Sequence, residues 1–260
     1  WTQTMYVKLN DESVWILGAP LEQYTYLQGQ TTYAAHTSFF YDGLILGKIG
    51  TRGLLTKKVS DNTGFTPASV SQEFVYDTYG NLVQTKNPNG YLASVTFDAD
   101  YHLAPVQETN PLNQKVTKQY YGIGGVSQNS GDGYAGRFGQ VKTVTDPNGV
   151  SERYTYDIFG RLSAVVGPRD SLTYPTLRTQ YDILSGYTRV STYKRREHGT
   201  TLTVKSVQFI DGLGRMIQAK NPSGKPGVFI VSGETQTDAR GLVVEQFVPR
   251  QAVLAQDQLE

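Results

Sequence analysis

The chain of 260 residues contains no cysteine, and it has only two tryptophans, two methionines and three histidines. The lack of cysteine excludes a structural disulfide, a thiolate metal site and a cysteine nucleophile. No run approaches the roughly 18 apolar residues of a transmembrane helix, so no membrane span is predicted. The chain begins at Trp1 without a charged and then apolar leader, and we expect it to be an internal piece of a longer protein.

The chain also has almost no net charge. The 24 basic and 23 acidic residues leave a formal charge of +1. Such a balance produces no strong field that would attract nucleic acid or an acidic membrane surface. The basic runs Lys57-Lys58 and Lys194-Arg195-Arg196 are short, and we expect both to be solvated parts of strands or loops. No nucleic-acid partner is predicted.

Tyrosine and glycine are abundant, with 18 tyrosines and 27 glycines. Tyrosine suits a half-buried pleated surface, and glycine supplies the positive-φ positions of tight turns. The composition therefore predicts many strands joined by many tight turns. Helices are not expected, because the periodic segments are short and are repeatedly interrupted by glycine or proline.

Two short patterns recur along the chain. The first is an aromatic residue followed by Asp-x-x-Gly, and its copies are Tyr76-Asp77-Thr78-Tyr79-Gly80, Tyr156-Asp157-Ile158-Phe159-Gly160 and, shifted by one residue, Phe209-Ile210-Asp211-Gly212-Leu213-Gly214. Thr237-Asp238-Ala239-Arg240-Gly241 keeps the turn and loses the aromatic residue, and degenerate copies are Phe97-Asp98-Ala99-Asp100-Tyr101 and Tyr181-Asp182-Ile183-Leu184-Ser185-Gly186. The second is Asn/Asp-Pro-x-Gly, and its copies are Asn87-Pro88-Asn89-Gly90, Asp146-Pro147-Asn148-Gly149 and Asn221-Pro222-Ser223-Gly224, with worn versions at Asn110-Pro111-Leu112-Asn113 and Gly167-Pro168-Arg169-Asp170.

Both patterns have the chemistry of a tight chain reversal. An Asp or Asn side chain caps the first position, proline presets φ at the second, and glycine at the fourth accepts a left-handed conformation. This combination predicts a type I turn followed by a glycine bulge, which closes hairpins with short loops. Gly80 and Gly160 are therefore predicted to have positive φ.

The two patterns alternate at nearly constant intervals. Asp77 lies 10 residues before Asn87, and Asp98 follows 11 residues after Asn87. The six or seven residues left between turns match the usual length of a strand. The predicted fold is therefore all-β, an antiparallel meander in which one repeat is one hairpin.

The repeats divide the chain into three segments. Residues 1–70 are predicted to be a β-rich lead-in, in which Phe39-Phe40-Tyr41-Asp42-Gly43 opens like a repeat with a longer loop behind it. Residues 71–250 hold the hairpin repeats and continue from the lead-in, with a glycine-rich loop inserted at 122–139. Residues 251–260 contain neither glycine nor proline and suit a short helix or a frayed tail.

The phased turns resemble the YD repeats of RHS proteins. The residues that carry the resemblance are Tyr76-Asp77-x-x-Gly80-Asn81-Leu82, Tyr156-Asp157-x-x-Gly160-Arg161-Leu162 and Asp211-Gly212-Leu213-Gly214-Arg215, together with the upstream stretches Trp15-Ile16-Leu17-Gly18-Ala19-Pro20 and Thr51-Arg52-Gly53-Leu54-Leu55-Thr56. Similar repeats occur in the B and C components of bacterial ABC-type toxin complexes and in teneurins. The resemblance implies a curved, spiralling β-sheet that forms part of a hollow shell around a toxic C-terminal domain.

No catalytic, cofactor or metal site is predicted. His36, His102 and His198 are scattered and are expected to be exposed or satisfied strand residues. The turn role already explains the repeat aspartates, which are Asp77, Asp157, Asp211 and Asp238. The segments Asn129-Ser130-Gly131-Asp132-Gly133 and Asp98-x-Asp100 lack the ordered ligands of a calcium loop. Gly122-x-Gly124-Gly125 lacks the helix of a dinucleotide loop. Asp146-Pro147-Asn148-Gly149-Val150 is similar to the family's self-cleavage motif. It falls at the interval expected for a repeat turn, however, so an ordinary turn is predicted there.

The leading functional prediction is a structural shell segment of a secreted or cell-surface bacterial protein. Its expected partners are the rest of the polypeptide or a neighbouring shell component, together with enclosed toxin cargo. The alternative is an adhesive repeat that binds carbohydrate or a protein partner, to which the tyrosines would contribute a surface. A β-rich hydrolase is the least favoured class. Because an isolated segment has open sheet edges, self-association is also expected.

Overall fold

The computed structural model describes residues 1–6, 16–61, 69–127, 137–201, 203–238, 240–253 and 256–259. Every regular element in these ranges is a β-strand. The chain divides into two compact units, Trp1–Lys118 and Gln119–Glu260. The segments 7–15 and 128–136 lie outside the described residues, so the predictions for Trp15 and for Asn129–Gly133 are not addressed further.

The first unit is a run of antiparallel strands in sequence order. Its strands are β1 (Thr2–Tyr6), β2 (Pro20–Tyr26), β3 (Tyr33–Tyr41), β4 (Leu55–Asp61), β5 (Ser69–Tyr76), β6 (Leu82–Lys86), β7 (Leu92–Phe97), β8 (Pro105–Thr109) and the start of β9 (Lys115–Tyr120). Each strand pairs with the next one along the chain. The β4–β5 pair crosses residue 70, so the lead-in and the first repeats share one ladder.

The second unit is also a run of antiparallel strands. Its strands are β10 (Val141–Thr145), β11 (Ser151–Tyr156), β12 (Leu162–Val166), β13 (Leu177–Leu184), β14 (Tyr187–Arg195), β15 (Thr203–Asp211), β16 (Met216–Pro222), β17 (Phe229–Ser232), β18 (Thr235–Thr237), β19 (Val243–Gln246) and β20 (Arg250–Ala252). Strands β10 to β17 pair in order, and β20 then pairs with β17. Strands β18 and β19 form a separate two-stranded hairpin.

The Asp-x-x-Gly tetrads lie at chain reversals, as predicted. At Asp77 the carboxylate Oδ1 accepts from the backbone N–H groups of Tyr79 and Asn81, each at 2.9 Å. The Asp77 N–H donates to the Asn81 carbonyl at 3.0 Å, and Gly80 has a φ of 94°. The same bonds recur at Asp157 and Asp211. This geometry confirms the bulged type I turn.

The proline-containing pattern folds in the same way at three positions. The side chains of Asn87, Asn110 and Asp146 each accept from the N–H groups two and four residues later, at 2.8–3.0 Å. Gly90 and Gly149 take the left-handed conformation at φ 85° and 80°. Asn113 takes it at 61°, because asparagine tolerates this region better than other non-glycine residues.

Two of the predicted turns lie inside strands instead. Asp182 was assigned to a degenerate turn, but it is part of β13, and the chain reverses at Ser185-Gly186 between Leu184 and Tyr187. The segment has no glycine three residues after the aspartate, whereas Gly186 supplies a φ of 87° for a two-residue loop. The tight Ser185-Gly186 loop therefore determines the register.

Asn221 is the second such case. It belongs to β16 and faces Ile230, so the predicted Asn221-Pro222-Ser223-Gly224 turn is wrong, and the observed turn begins four residues later. The reversal occurs at Lys225–Val228, where the Val228 N–H donates to the Lys225 carbonyl at 3.2 Å and Gly227 has a φ of 72°. Proline at the second position and glycine at the third favour this type II turn.

The tail also differs from the sequence prediction. Residues 251–260 were expected to form a short helix or a frayed end, but Arg250–Ala252 form β20, whose register aligns Gln251 with Ile230 of β17. The backbone groups of β17 are available for this pairing, and satisfying them stabilises the extended conformation.

Few side chains are fully buried, because a single layer of strands covers each face only in part. The seven residues of β4 are all partly buried. Complete burial is concentrated in the second unit, where Val207, Phe209 and Val231 have no exposed surface. The two residues in β15, Val207 and Phe209, share a face as the sequence alternation predicted.

Candidate functional site

Register shifts distinguish the two kinds of reversal. The reversals that begin at Asp42, Asp77, Asp98, Asp157, Asp211 and Asp238 are called aspartate-type reversals. The ladder slips by one residue next to each of them, at Phe40/Tyr41, Val75/Tyr76, Thr96/Phe97, Thr155/Tyr156, Phe209/Ile210 and Gln236/Thr237. Two further slips lie in the lead-in, at Met5/Tyr6 and Thr25/Tyr26. The pairs that flank Asn87, Asn110 and Asp146 show no such slip. A bulge bends its strand and increases the local twist. The aspartate-type reversals therefore bend the strands, and the proline-type reversals leave them regular.

Neighbouring aspartate-type reversals of the first unit are joined laterally. The Arg52 guanidinium, in the long loop after Asp42, donates from Nη2 to the carbonyls of Asp77 and Thr78 at 3.1 Å each. In turn, the Asn81 side chain donates to the His102 carbonyl at 2.7 Å. These bonds bridge three successive hairpins and hold their tips together.

The long loop after Asp42 is an enlarged version of the repeat turn, as the sequence predicted. Asp42 has a φ of 52°, and its carboxylate accepts from the N–H groups of Gly50, Gly53 and Leu54 at 2.8–2.9 Å. A Cβ on Gly50 would lie 2.8 Å from Asp42 Oδ2, so only glycine allows this close approach. The aspartate thus organises a loop of more than ten residues.

Asp98 shows the strongest electrostatic perturbation of the turn aspartates. Its carboxylate accepts from five backbone N–H groups, those of Asp100, Tyr101, His102, Leu103 and Ala104. Burial acts to raise the pKa of Asp98, but these bonds outweigh it and lower the pKa to about 2. With its oxygens committed to the backbone, Asp98 is a structural carboxylate rather than a calcium ligand.

His36 lies in a polar cluster that the sequence did not reveal. Its Nδ1 is 2.7 Å from Asp61 Oδ2, and its Nε2 is 3.1 Å from Glu22 Oε1 and 3.5 Å from Ser38 Oγ. The set includes Ser, His and Asp, but Glu22 competes for Nε2 at the shorter distance. Ser38 is also only 8% exposed, which leaves little access for a substrate. We interpret the cluster as a cross-strand bridge of β2, β3 and β4.

The other two histidines lie in loops rather than in strands, contrary to the prediction. His102 has a φ of 57° in the turn organised by Asp98, and its ring stacks on Tyr79 at 3.7 Å. His198 is half exposed, and its Nδ1 lies 3.2 Å from Asp170 Oδ1. The three histidines have different partners, so the structure does not bring them together in one site.

The remaining candidates also lack the surroundings of a site. Gly122, Gly124 and Gly125 have positive φ within the consecutive turns over residues 120–126 that follow β9. Among the described residues, no group of three acidic or histidine side chains is placed to hold a metal ion. In the same ranges, no helix has the length and apolar character needed to cross a membrane.

Similarity to a known protein family supports the interpretation of the turns. Residues 137–171 match the family model of the RHS repeat. This range includes the Asp146 turn, β11, the Asp157 turn and β12. No curated protein matches the chain.

Solved toxin-complex structures share the fold. The crystal structure of TcdB2-TccC3 has a TM-score of 0.66 at 14% identity, and that of TcdB2-TccC3-Cdc42 has 0.67 at 13%, each over 96% of this chain. The structure of the Photorhabdus luminescens Tc holotoxin pore with a mutant TccC3 has 0.69 at 12%, also over 96%. This chain spans 18%, 20% and 19% of the respective solved chains.

The turn geometry, the family match and the shared fold define an antiparallel meander of YD-type hairpins. Residues 137–171 thus carry an RHS repeat, and the chain shares the fold of the toxin-complex structures to which it is similar.

Proposed function

We propose that this chain forms part of the wall of a container in a secreted bacterial RHS/YD-repeat protein, and that the container encloses a C-terminal toxin segment. The observation that carries the proposal is that every aspartate-type reversal has a register shift beside it, whereas the reversals at Asn87, Asn110 and Asp146 have none. Within each meander these reversals follow one another at the same ends of the strands. Bends repeated at one edge favour a sheet that curves consistently, as a container wall requires.

The fold shared with toxin complexes supports the proposal that this chain encloses a cargo and contacts other shell segments. One solved TcdB2-TccC3 structure is without a hypervariable C-terminal region. By analogy, we assign a C-terminal cargo segment to the longer polypeptide of which this chain is a piece. The partners of the wall are then neighbouring shell segments and the cargo.

Containment by such a wall is steric and requires no catalytic residue. A protease binds its substrate as an extended strand with free backbone groups, but the inner strands of the meander have both edges paired. Adjacent strands lie about 4.8 Å apart, which leaves no passage for a polypeptide. The enclosed segment is therefore kept from solvent and protease, and we assign the chain a structural, non-enzymatic role.

Limited proteolysis of the full-length polypeptide tests the proposal. The wild-type protein should protect its C-terminal segment from trypsin at doses that digest the same segment expressed alone. Phe209→Asp places a charge where the side chain has no exposed surface, and it should open the wall and expose the segment. Leu213→Asp, in the same hairpin but 80% exposed, is the matched control and should retain protection.

Equal digestion of the C-terminal segment in the wild-type protein and in isolation would contradict the container. Protection that survives Phe209→Asp, with circular dichroism showing that β15 has lost its packing, would also contradict it.

An adhesive role is the second candidate function, and exposed aromatic residues at the chain reversals favour it. Tyr79, Tyr101 and Phe159 are 64%, 50% and 66% exposed at aspartate-type reversals. Flat aromatic faces at regular intervals suit sugar rings or a protein partner. Binding of the full-length protein to a glycan array, lost in a Tyr79→Ser/Phe159→Ser variant with unchanged melting temperature, would support adhesion. A silent array would reject glycan binding.

A further inference from the structure

A cavity of about 190 Å³ lies beside the loop that joins β12 and β13. Tyr174 of that loop forms one wall, and Arg178, Tyr193, Arg195 and Thr203 contribute from three adjacent strands. The ladder explains why these residues meet. Arg178 is paired with Tyr193 and Arg195 with Thr203, while Tyr193 and Arg195 are two residues apart and share a face.

The charge of this cavity is of one sign. Arg178 and Arg195 supply two guanidinium groups, and the other described residues that line it contribute hydroxyl groups, aromatic rings and Pro175, but no carboxylate. Arg178 forms no ion pair with any of the residues described. Two cations with no acid between them produce a positive potential within a small, partly enclosed space.

Arg195 is the second observation, because it is buried with an unused donor. Its side chain is only 5% exposed, and Nε donates to the Pro175 carbonyl at 3.1 Å. Its guanidinium lies over the Tyr174 ring at 5.4 Å from the centroid. Nη1 is buried and has no hydrogen-bond partner in the described structure. In the planar guanidinium, Nη1 is on the opposite side from the Nε hydrogen, so it points away from Pro175.

The nearest carboxylate does not supply the missing acceptor. Asp170 Oδ1 lies 3.6 Å from Arg195 Nε, which is beyond hydrogen-bond distance. Its two oxygens are already used, since Oδ2 accepts from the Thr176 hydroxyl at 2.5 Å and Oδ1 faces His198 at 3.2 Å. Asp170 thus compensates the charge of Arg195 from one side and leaves Nη1 unsatisfied.

An unpaired donor on a buried cation is unfavourable because its lost hydration is not replaced, so native structures rarely keep one without a reason. An oxyanion in the cavity would remove this cost, because guanidinium groups match the geometry of carboxylate and phosphate oxygens. The hydroxyl groups of Thr201 and Thr203 line the same space and can donate to the same oxygens.

We propose that this cavity binds a small oxyanion, held between the guanidinium groups of Arg178 and Arg195. The ligand is a single phosphate or carboxylate group, either free or carried on a sugar acid that would lie against Tyr174 and Tyr193. The site is a ligand-binding function in addition to the wall role, and it does not depend on the presence of cargo.

Titration of the full chain with inorganic phosphate and with D-glucuronate, using D-glucose as the uncharged control, tests the proposal. Calorimetry gives the affinity, and the Arg Nε–H signals in a ¹⁵N-correlated spectrum locate the site. We expect saturable binding of at least one anion and none of glucose. Tighter binding of glucuronate than of phosphate identifies a sugar acid, and equal or weaker binding identifies a free oxyanion.

Two exposed arginines provide the matched variants. Arg178→Gln should weaken binding by about tenfold, the size of one charge-assisted hydrogen bond, with an unchanged melting temperature. Arg169→Gln removes the same charge from the adjoining loop, outside the cavity lining, and should change the affinity less than about twofold. Absence of saturable binding up to tens of millimolar, or equal losses in the two variants, would overturn the proposal.

Discussion

The Asp211 turn offers a test of the backbone conformation, because it contains two glycines in different conformations. Gly214 has a φ of 81°, whereas Gly212 is outside the left-handed region. A Cβ added at either position would meet nothing within 4 Å. Substitution by alanine therefore changes the backbone energy without creating a clash, and the two sites form a matched pair within one loop.

The expected effects are opposite in sign. Gly214→Ala forces an L-residue into the left-handed region and should destabilise the fold by roughly 1–2 kcal/mol. Gly212→Ala restricts the unfolded chain at a compatible position and should be neutral or stabilising by about 0.4–1 kcal/mol. Gly214→Asn should fall between wild type and Gly214→Ala, because asparagine tolerates positive φ.

Differential scanning calorimetry of the full chain measures these differences. For a unit of this size, 1 kcal/mol corresponds to about 2–4 °C in Tm. We expect Gly212→Ala to melt at or above wild type, followed by Gly214→Asn and then Gly214→Ala. Equal decreases in Tm for the two alanine variants would refute the assignment of a bulged type I turn to Asp211.

Three further predictions follow from the buried groups. Asp98→Ala leaves five backbone N–H groups without their acceptor, so it should lower the free energy of unfolding in urea by about 3 kcal/mol. Asp98→Asn keeps one acceptor oxygen and should lower it less. Equal losses in the two variants would contradict the role of the carboxylate as the acceptor in this turn. The pKa of Asp98 is lowered to about 2, so its contribution is complete above pH 4 and is lost as the pH falls toward 2. Acid titration by circular dichroism should show a smaller stability loss in Asp98→Asn than in wild type. Phe209→Ala should cost about 3–5 kcal/mol in urea, and a loss below 1 kcal/mol would dispute its burial.

Local chemistry made most of the meander predictable. An Asp or Asn side chain that caps its own turn and a glycine that accepts positive φ act within five residues, so Asp77, Asp146 and Asp157 could be assigned without tertiary information. The errors at Asp182 and Asn221 have the same local origin. In each case a stronger glycine turn a few residues later, at Gly186 or Gly227, determines where the strand ends.

Contacts across the ladder could not be read from the sequence. The joining of His36 to Glu22 and Asp61 depends on the registers of two strand pairs. The β2–β3 connection carries neither turn pattern, and the loop that begins at Asp42 is too long for its pattern to determine the register. Likewise, Arg178 and Arg195 meet only because β13 and β14 are long and the loop after β12 covers one end. The register shifts next to the aspartate-type reversals also left no signal beyond the aromatic residue that directly precedes Asp42, Asp77, Asp98 and Asp157.

The absence of cysteine makes disulfide trapping the most direct test of the proposed ladder. Gln84 and Ser94 are opposite each other across the Asn87 hairpin, so Gln84→Cys/Ser94→Cys should form an intramolecular disulfide in the folded full chain. Gln84→Cys/Val95→Cys moves one partner by a single residue, which places its side chain on the other face of the sheet, and it should stay reduced. Efficient crosslinking of the first pair alone, measured by mass spectrometry, is the expected result. Equal crosslinking of both pairs, or of neither, would contradict the antiparallel register on which the wall depends.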